Sequence, residues 1–365
     1  MRIAQVAPLH ESVPSKRYGG TERMVSWLTE ELVRQGHDVT LFASGDSLTA
    51  ARLISVCQSS LRTDANCIDP LAYHILMLEQ VAKRADEFDI IHFHVDYLHF
   101  PISRRIGTPH VTTLHGRLDL PELVPLYREF NDVPVISISV AQRRPVSFAN
   151  WVGNVYHGLP VDSLKFHAGP GEYLAFLGRI SPEKRPDRAI EIAKRAEMPL
   201  KIAAKVDRAD REYFETKVKP LLNCSLIEYI GEIGDHEKSD FLGNAIASLF
   251  PIDWPEPFGI NMIEAMACGT PTIAFPCGSV PEILDDGVSG FIVHNIDEAV
   301  DAVHRVPQIR RKACRRAFEQ RFTSPRMTSE YLALYESFVQ PEDEPVLETE
   351  FRLPAREPGV DNQVS

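Results

Sequence analysis

The chain has 365 residues, of which 44% are hydrophobic and 25% are charged, and this composition excludes a fibrous or wholly disordered protein. That length exceeds what one hydrophobic core usually holds, so we expect two domains. The net charge of −12 argues against a nucleic-acid-binding protein, and the absence of any apolar run of about 18 residues argues against a transmembrane segment.

Short apolar runs typical of buried strands alternate with amphipathic stretches along the chain. The first half predicts six strands, at 3–7, 38–43, 89–94, 110–115, 134–140 and 152–158. The second half predicts six more, at 173–178, 200–204, 226–231, 247–251, 272–276 and 290–294. Helical patterns between them include 22–35, 186–196 and 296–306. This alternation predicts an α/β protein with two doubly wound parallel sheets, each covered by helices on both faces.

A stretch rich in glycine and proline, residues 157–172, separates the two halves. We therefore expect one domain over 1–160 and a second over 161–325. A further helical pattern, 326–339, ends the periodic part of the chain, and the acidic, proline-rich segment 341–365 is predicted to be disordered. Six scattered cysteines without metal-binding spacing favour reduced thiols and a cytoplasmic protein.

The most informative segment follows the strand at 247–251, where open parallel sheets bind their ligands. Pro257 cannot lie inside a helix, so a helix should start at about Phe258 or Gly259. The free N–H groups of Phe258, Gly259 and Ile260 would then form a phosphate site facing a cleft between the domains.

Two glutamates flank this helix start, Glu256 just before it and Glu264 about two turns later. At a rise of ~1.5 Å per residue they lie up to ~12 Å apart, which suits two carboxylates that hold hydroxyls at opposite ends of a nucleotide sugar. The spacing is equally compatible with a plain helix that has a favourable N-terminal acid and a solvent-facing glutamate.

Two further loops could bind phosphate. Arg179 and Lys184 lie between a strand and a helix, where they could neutralise a diphosphate, although surface cations are common in such loops. Gly19 and Gly20 open the first long helix, where missing side chains allow a close approach to the backbone.

A histidine ends the strand at 110–115, His115, where it could donate a hydrogen bond to a sugar hydroxyl. A lone histidine is more often structural. His92 and His94 are weaker candidates near the cleft wall, and Asp96 and Asp119 are candidate acceptor contacts.

The segment from 256 to 271, EPFGINMIEAMACGTP, resembles the E-x7-E signature of retaining GT-B glycosyltransferases of group 1, also called family 4. Further segments similar to the family occur in order from 18 to 293: YGGTE, DIIHFH, TTLHGRLD, NVYHGLPVD, LGRISPEKRPD and GSVPEILDDGVSGFIV. The resemblance covers roughly residues 1–340 and implies two facing Rossmann-like domains, with the helix at 326–339 crossing back onto the first.

The resemblance also implies roles for the candidate residues. Arg179 and Lys184 would bind the donor phosphates, Glu256 the sugar and Glu264 the ribose. Gly19 and Gly20 would face the donor phosphates and the acceptor, and His115 would contact the donor. Arg185 departs from the family pattern, because a glycine commonly follows the lysine.

The expected activity is transfer of a hexose from a nucleotide sugar, UDP-glucose or GDP-mannose being the commonest donors in the family, with retention of configuration. Acceptors would be carbohydrate, lipid-linked sugar or a small molecule. No Asp-x-Asp element follows a strand, so neither a metal nor another cofactor is expected. Alternatives are a GT-B sugar-nucleotide epimerase, a phosphorylase-like enzyme, for which we find no cofactor lysine, or a non-catalytic nucleotide-sugar-binding protein. The expected location is the cytoplasm, with peripheral contact at the inner membrane face as an option.

Overall fold

The computed structural model describes residues 1–16 and 19–339. Tyr18 of the glycine motif, YGGTE at 18–22, lies outside the described residues, and so does the segment 341–365, for which we predict disorder. No helix within the described ranges combines the length and the hydropathy needed to cross a membrane.

The first half of the chain builds a seven-stranded parallel sheet in the order β3-β2-β1-β4-β5-β6-β7. Its strands are β1 (Arg2–Val6), β2 (Asp38–Phe42), β3 (Arg52–Ile54), β4 (Ile90–Phe93), β5 (His110–Thr113), β6 (Val135–Ser137) and β7 (Trp151–Asn154). The order reverses between β1 and β4, and such a switch point opens a crevice at the carboxyl ends of the strands. The sequence missed only β3, a three-residue edge strand that is too short to show a pattern.

The second half builds a six-stranded parallel sheet in the order β10-β9-β8-β11-β12-β13. Its strands are β8 (Tyr173–Arg179), β9 (Leu200–Lys205), β10 (Ile227–Gly231), β11 (Ala245–Phe250), β12 (Thr272–Ala274) and β13 (Gly290–Ile292). All six predicted strands are present. The predicted architecture of two doubly wound α/β sheets is confirmed.

Helices cover both faces of both sheets, because alternate strand residues bury apolar side chains on opposite faces. Ile3 packs in one cluster with Leu28, whereas its neighbour Ala4 packs in another with Met77. The helices are α1 (Gly20–Arg34), α2 (Pro70–Lys83), α3 (Phe100–Ser103), α4 (Leu123–Glu129), α5 (Pro186–Arg195), α6 (Arg211–Tyr213), α7 (Asp235–Gly243), α8 (Ile260–Cys268), α9 (Val280–Ile283), α10 (Ile296–Arg305), α11 (Arg311–Arg321) and α12 (Ser324–Val339).

The last helix, α12, lies against the first sheet although it follows the second sheet in the chain. Its buried residues Met327, Tyr331 and Tyr335 share a cluster with Ile3 and Leu28. The Tyr335 hydroxyl also lies 2.7 Å from Nδ1 of His92 and 3.2 Å from Nε2 of Gln5. The core of the first sheet is therefore completed by the end of the described chain.

Candidate functional site

A cavity of about 580 Å³ lies between the carboxyl edges of the two sheets. The first half of the chain contributes the predicted residues Gly19, Gly20, Asp96 and His115. The second half contributes Arg179, Lys184, Glu256, Phe258, Gly259, Ile260 and Glu264. The structure thus brings together residues that are up to 245 positions apart, in a cavity of a size that suits a small-molecule ligand.

Helix α8 begins at Ile260, one or two residues later than we expected from Pro257. Gly259 precedes it with φ +81°, a left-handed conformation that ends the extended segment and delays the helix. A Cβ at Gly259 would lie 2.6 Å from Cε of Met262 and 3.2 Å from Cζ of Phe250, so these side chains would have to shift to admit one. The first free helical N–H at the cavity is therefore that of Ile260, rather than that of Phe258.

Glu256 lies at the cavity wall with one carboxylate oxygen already bound. Its Oε2 accepts hydrogen bonds from Nζ of Lys184 and, at 2.7 Å, from Nε1 of Trp254. Its Oε1 has no hydrogen-bond partner among the described residues. The backbone of Glu256 is also held by a hydrogen bond, which Ser279 N–H donates to Glu256 O at 2.9 Å. One oxygen is thus held in place and the other is left for a ligand.

Glu264 shows the same division at the other end of the cavity. Its Oε1 accepts from Nη1 of Arg23 and from Nζ of Lys238, both at 2.9 Å, while Oε2 has no partner among the described residues. Burial by itself would raise the pKa of Glu264, but the charges of Lys238 and Arg23 outweigh it and lower the pKa to about 2. The carboxylate is therefore ionised at every physiological pH.

The predicted phosphate-binding cation Arg179 lies among carboxylates. It pairs with Glu183, and its guanidinium lies 3.8 Å from Asp207 and 3.6 Å from Asp210. Lys205, a further cation at the cavity that the sequence analysis missed, pairs with Asp207 at 2.8 Å. A diphosphate bound here would have to compete with these acidic side chains for the cations.

Arg185, which stands where the family commonly has glycine, does not line the cavity. Its φ of +53° is the left-handed conformation that glycine adopts without strain. The side chain instead forms ion pairs with Asp187 at 2.9 Å and Asp253 at 2.7 Å. These contacts hold it on the outer side of the loop, and Arg185 is not a third cation of the cavity.

His115 is half-buried at the cavity and contacts the buried histidines His94 and His157. Its Nε2 lies 2.9 Å from Nδ1 of His94, whose Nε2 lies 2.8 Å from Oε1 of Gln5. Its ring stacks on His157 with centroids 5.3 Å apart. Burial lowers the pKa of His115 to about 3, so the ring is neutral at neutral pH. His92 and His94 do not line the cavity; they lie behind it, and His94 contacts it only through His115.

Of the two candidate acceptor contacts, Asp96 lies at the cavity and Asp119 does not. Asp96 lines the cavity and its side chain is open to it. Burial by the protein on its other sides raises the pKa of the Asp96 carboxyl to about 6, although a hydrogen bond from the His115 backbone acts in the opposite direction. Its φ of +49° is unusual for a residue other than glycine. Asp119 is not brought into the cavity, because Arg117 binds it at 2.7 and 2.8 Å beside a separate cavity of about 80 Å³.

The glycine motif faces the second sheet across the cavity. A Cβ at Gly20 would lie 3.3 Å from Cδ1 of Ile260, and one at Gly19 would lie 2.5 Å from Cβ of Ser15. Gly20 therefore lets the start of α1 approach α8 closely, whereas Gly19 leaves room for Ser15 in the same half of the chain. Within residues 1–16 and 19–339, no group of three or more His, Cys, Asp or Glu side chains is placed to hold a metal ion.

Sequence reasoning missed Arg23, Lys238, Trp254 and His157 as cavity residues. His157 lies inside a segment that carries the family resemblance and Trp254 lies two residues before another, which was a usable signal. Arg23 and Lys238 gave none, because each lies on a helix where a charged residue normally faces solvent.

Comparison with known proteins agrees with this arrangement. A family model described as Glycosyl transferases group 1 matches residues 165–320, and one described as Glycosyltransferase Family 4 matches residues 18–145. A D-inositol 3-phosphate glycosyltransferase of Saccharomonospora viridis is 31% identical over 265 residues, which cover 64% of this chain and 58% of that protein.

Two similarities extend over most of the chain. A phosphatidyl-myo-inositol mannosyltransferase of Propionibacterium freudenreichii is 24% identical over 343 residues, which cover 84% of this chain and 86% of that protein. The crystal structure of Anabaena HepE in complex with UDP-glucose superposes with a TM-score of 0.68 at 17% identity, covering 92% of this chain and 100% of that one.

Proposed function

Because this chain belongs to the group 1 glycosyltransferases and has the GT-B fold, we propose that it transfers a hexose from a nucleotide sugar to a hydroxyl group with retention of configuration. The donor would be of the UDP-glucose or GDP-mannose type, and the acceptor a carbohydrate, a lipid-linked sugar or a small molecule. A UDP-glucose complex of a structural neighbour and the names of the two relatives support this choice of donor and reaction.

One observation carries the proposal. Glu256 and Glu264 each have one carboxylate oxygen fixed by a cation and the other without a partner among the described residues, and both line the same cavity. A hexose hydroxyl at Glu256 and a ribose hydroxyl at Glu264 would each donate to such an oxygen. The helix start at Ile260 lies between them along the chain, where the diphosphate would lie.

In the proposed reaction the bond between the anomeric carbon and the diphosphate oxygen breaks, and the acceptor oxygen bonds to that carbon on the same face. The acceptor proton passes to the departing phosphate oxygen, so the protein needs neither a nucleophile nor a base. Arg179 and Lys184 would stabilise the developing charge on the diphosphate. To do so Arg179 exchanges Glu183 for phosphate oxygens, whereas Lys184 has three N–H donors and can bind phosphate while it keeps Glu256.

The fixed charges of this site supply what a metal ion would supply elsewhere, so we expect transfer to continue in excess EDTA. The decisive experiment incubates the protein with UDP-glucose or GDP-mannose and a panel of sugar acceptors. Proton NMR of the anomeric coupling, followed from the first minutes, would show retention. An inverted product would contradict the mechanism, strict dependence on added Mg²⁺ would contradict metal independence, and failure to bind either donor would contradict the function.

A further inference from the structure

Arg23 contacts Glu264 from the opposite side of the cavity. It lies on α1, which packs on the first sheet, whereas Glu264 lies on α8 and Lys238 on α7, both beside the second sheet. Nη1 of Arg23 lies 2.9 Å from Glu264 Oε1 and 3.0 Å from Asp235 Oδ1. Lys238 binds the same two carboxylates, at 2.9 and 2.7 Å.

This cluster of four charges is buried at its centre. Glu264 is 3% exposed and Arg23 is 8% exposed, so neither charge is well solvated. Nε of Arg23 has no hydrogen-bond partner among the described residues, which makes the burial of this guanidinium costly. Lys238 alone already gives Glu264 a counter-ion, and the other carboxylate of the cluster, Asp235, is exposed to solvent. Neutralising Glu264 therefore does not by itself account for a second buried cation with an incomplete set of hydrogen bonds.

The second cation does fix the orientation of the Glu264 carboxylate. Lys238 and Glu264 belong to the same half of the molecule, so their contact does not depend on how the two halves meet. With Arg23 present, Oε1 accepts two charged hydrogen bonds and Oε2 is the oxygen left for a ligand. Without Arg23, the carboxylate could turn about its terminal bond while one oxygen stays on Lys238, and the position of the other oxygen would no longer be fixed.

We infer that Arg23 is a positioning residue for ribose recognition: it fixes the Glu264 carboxylate across the interface between the two sheets. The inference rests on the proposed function, in which Glu264 binds the ribose of a nucleoside diphosphate. It follows that the ribose subsite is complete only when α1 and α8 are in contact. Arg23, in the first half of the chain, then determines selectivity for a ribose that is bound by Glu264 in the second half.

The test compares the affinities of ribonucleotides and deoxyribonucleotides. Isothermal titration calorimetry measures binding of UDP and GDP and of their 2′-deoxy and 3′-deoxy analogues to the full chain. The wild-type protein should bind the ribonucleotide about 10-fold or more tightly than at least one deoxy analogue, since a hydrogen bond to a charged group is lost. Arg23→Gln should reduce this preference to less than about 3-fold while binding of the deoxy analogue changes little, because the diphosphate contacts lie elsewhere.

Arg34→Gln is the matched control, because Arg34 lies on the same helix but is exposed and pairs only within it. It should keep the wild-type preference. Arg23→Lys keeps the charge and should restore part of the preference, and it serves as the readout if Arg23→Gln does not fold. An unchanged preference in both Arg23 variants would overturn the inference and leave the proposed function intact. If the wild-type protein binds neither UDP nor GDP, the proposed function fails; if it binds them without any preference for ribose, only the role of Glu264 and this inference fail.

Discussion

Lys184 is the residue on which the donor end of the cavity depends most directly. It binds Glu256 and lies beside the ring of Trp254, at 5.2 Å from the ring centroid. Removing it would eliminate a proposed contact to the diphosphate and leave the carboxylate that is proposed to hold the sugar with Trp254 as its remaining donor.

We therefore predict that Lys184→Ala lowers kcat by about 10²-fold or more, as the loss of one preorganised charge-stabilising group does elsewhere. Arg179→Ala should have an effect of similar size. The neighbouring Arg185→Ala is the control for Lys184→Ala, since Arg185 points away from the cavity, and it should keep most of the turnover. Steady-state kinetics at saturating donor would measure this, and full turnover in Lys184→Ala would exclude its role.

Asp96 gives the cavity a group that titrates close to physiological pH. Its carboxyl pKa is raised to about 6, so the group is largely neutral below that pH and an anionic hydrogen-bond acceptor above it. If Asp96 holds the acceptor hydroxyl, KM for the acceptor should fall as the pH rises through 6.

Asp96→Asn should abolish this dependence, because an amide does not titrate. The measurement is acceptor KM between pH 5 and 8 for both proteins at saturating donor. Identical pH profiles in the two proteins would show that Asp96 does not contact the acceptor.

At the scale of single elements, the start of α8 depends on one glycine. Gly259 combines a φ of +81° with a Cβ position that is blocked by Met262 and by the ring of Phe250. Gly36, which ends the turn after α1, has a φ of +86° but no atom within 4 Å of its Cβ position. Alanine substitutions at Gly36 and Gly259 therefore separate the energetic cost of a left-handed backbone from that of steric overlap.

We predict that Gly36→Ala costs about 1 kcal/mol of stability, the cost of the left-handed conformation alone. Gly259→Ala should cost at least about 2 kcal/mol, since overlap with Met262 is added, and should also lower transfer because α8 shifts. Urea unfolding and kcat of both variants test this. Equal stability losses would mean that the core yields to the added methyl group.

Elements and their order could be read from the sequence, whereas their long-range contacts could not. Runs of apolar residues predicted twelve of the thirteen strands that residues 1–16 and 19–339 form, because a strand covered on both faces is apolar along its whole length. The motif around Glu256 and Glu264 also pointed to the cavity, because a proline, a glycine and two acids at fixed spacing form a local pattern that the sequence alone displays. Their roles in binding stay predictions.

Arg23 shows why the remainder was missed. Its partner Glu264 lies 241 positions away, and no local pattern distinguishes Arg23 from a solvent-exposed arginine of an amphipathic helix. The same holds for His94, whose environment is set by Gln5 and, through it, by Tyr335. Only the packing of the two halves of the chain creates these neighbourhoods.

At the scale of the whole molecule, buried neutral histidines should make the fold sensitive to acid. Burial lowers the pKa of each of His92, His94, His99, His115 and His157 below its usual value. Since the unfolded chain takes up protons at about pH 6.5 and the folded chain does not, their contribution to stability is present above pH 6.5 and is lost as the pH falls below it. Each histidine contributes up to about 1.4 kcal/mol per pH unit in that range.

We predict a nearly constant Tm between pH 8 and 7 and a fall of about 10 °C or more between pH 6.5 and 5. Asp96, Glu22 and Asp210 oppose this trend, because a carboxyl whose pKa is raised gains stability on protonation, but the five histidines outnumber them. Differential scanning calorimetry in buffers of matched ionic strength would measure the effect. A Tm that stays constant down to pH 5 would show that the histidines accept protons without unfolding.

The position of α12 has a consequence for how the protein is made. A ribosome releases the strands of the first sheet long before it releases Ser324–Val339, and the whole second sheet is synthesised in between. Until then Gln5 and His92 lack the hydroxyl of Tyr335, and Ile3 and Leu28 lack the cover of Met327 and Tyr331. The half of the molecule that emerges first is therefore the half that matures last. During translation its unfinished face is an apolar surface that a chaperone would recognise, whereas a released chain truncated after residue 323 should already hold a finished second sheet.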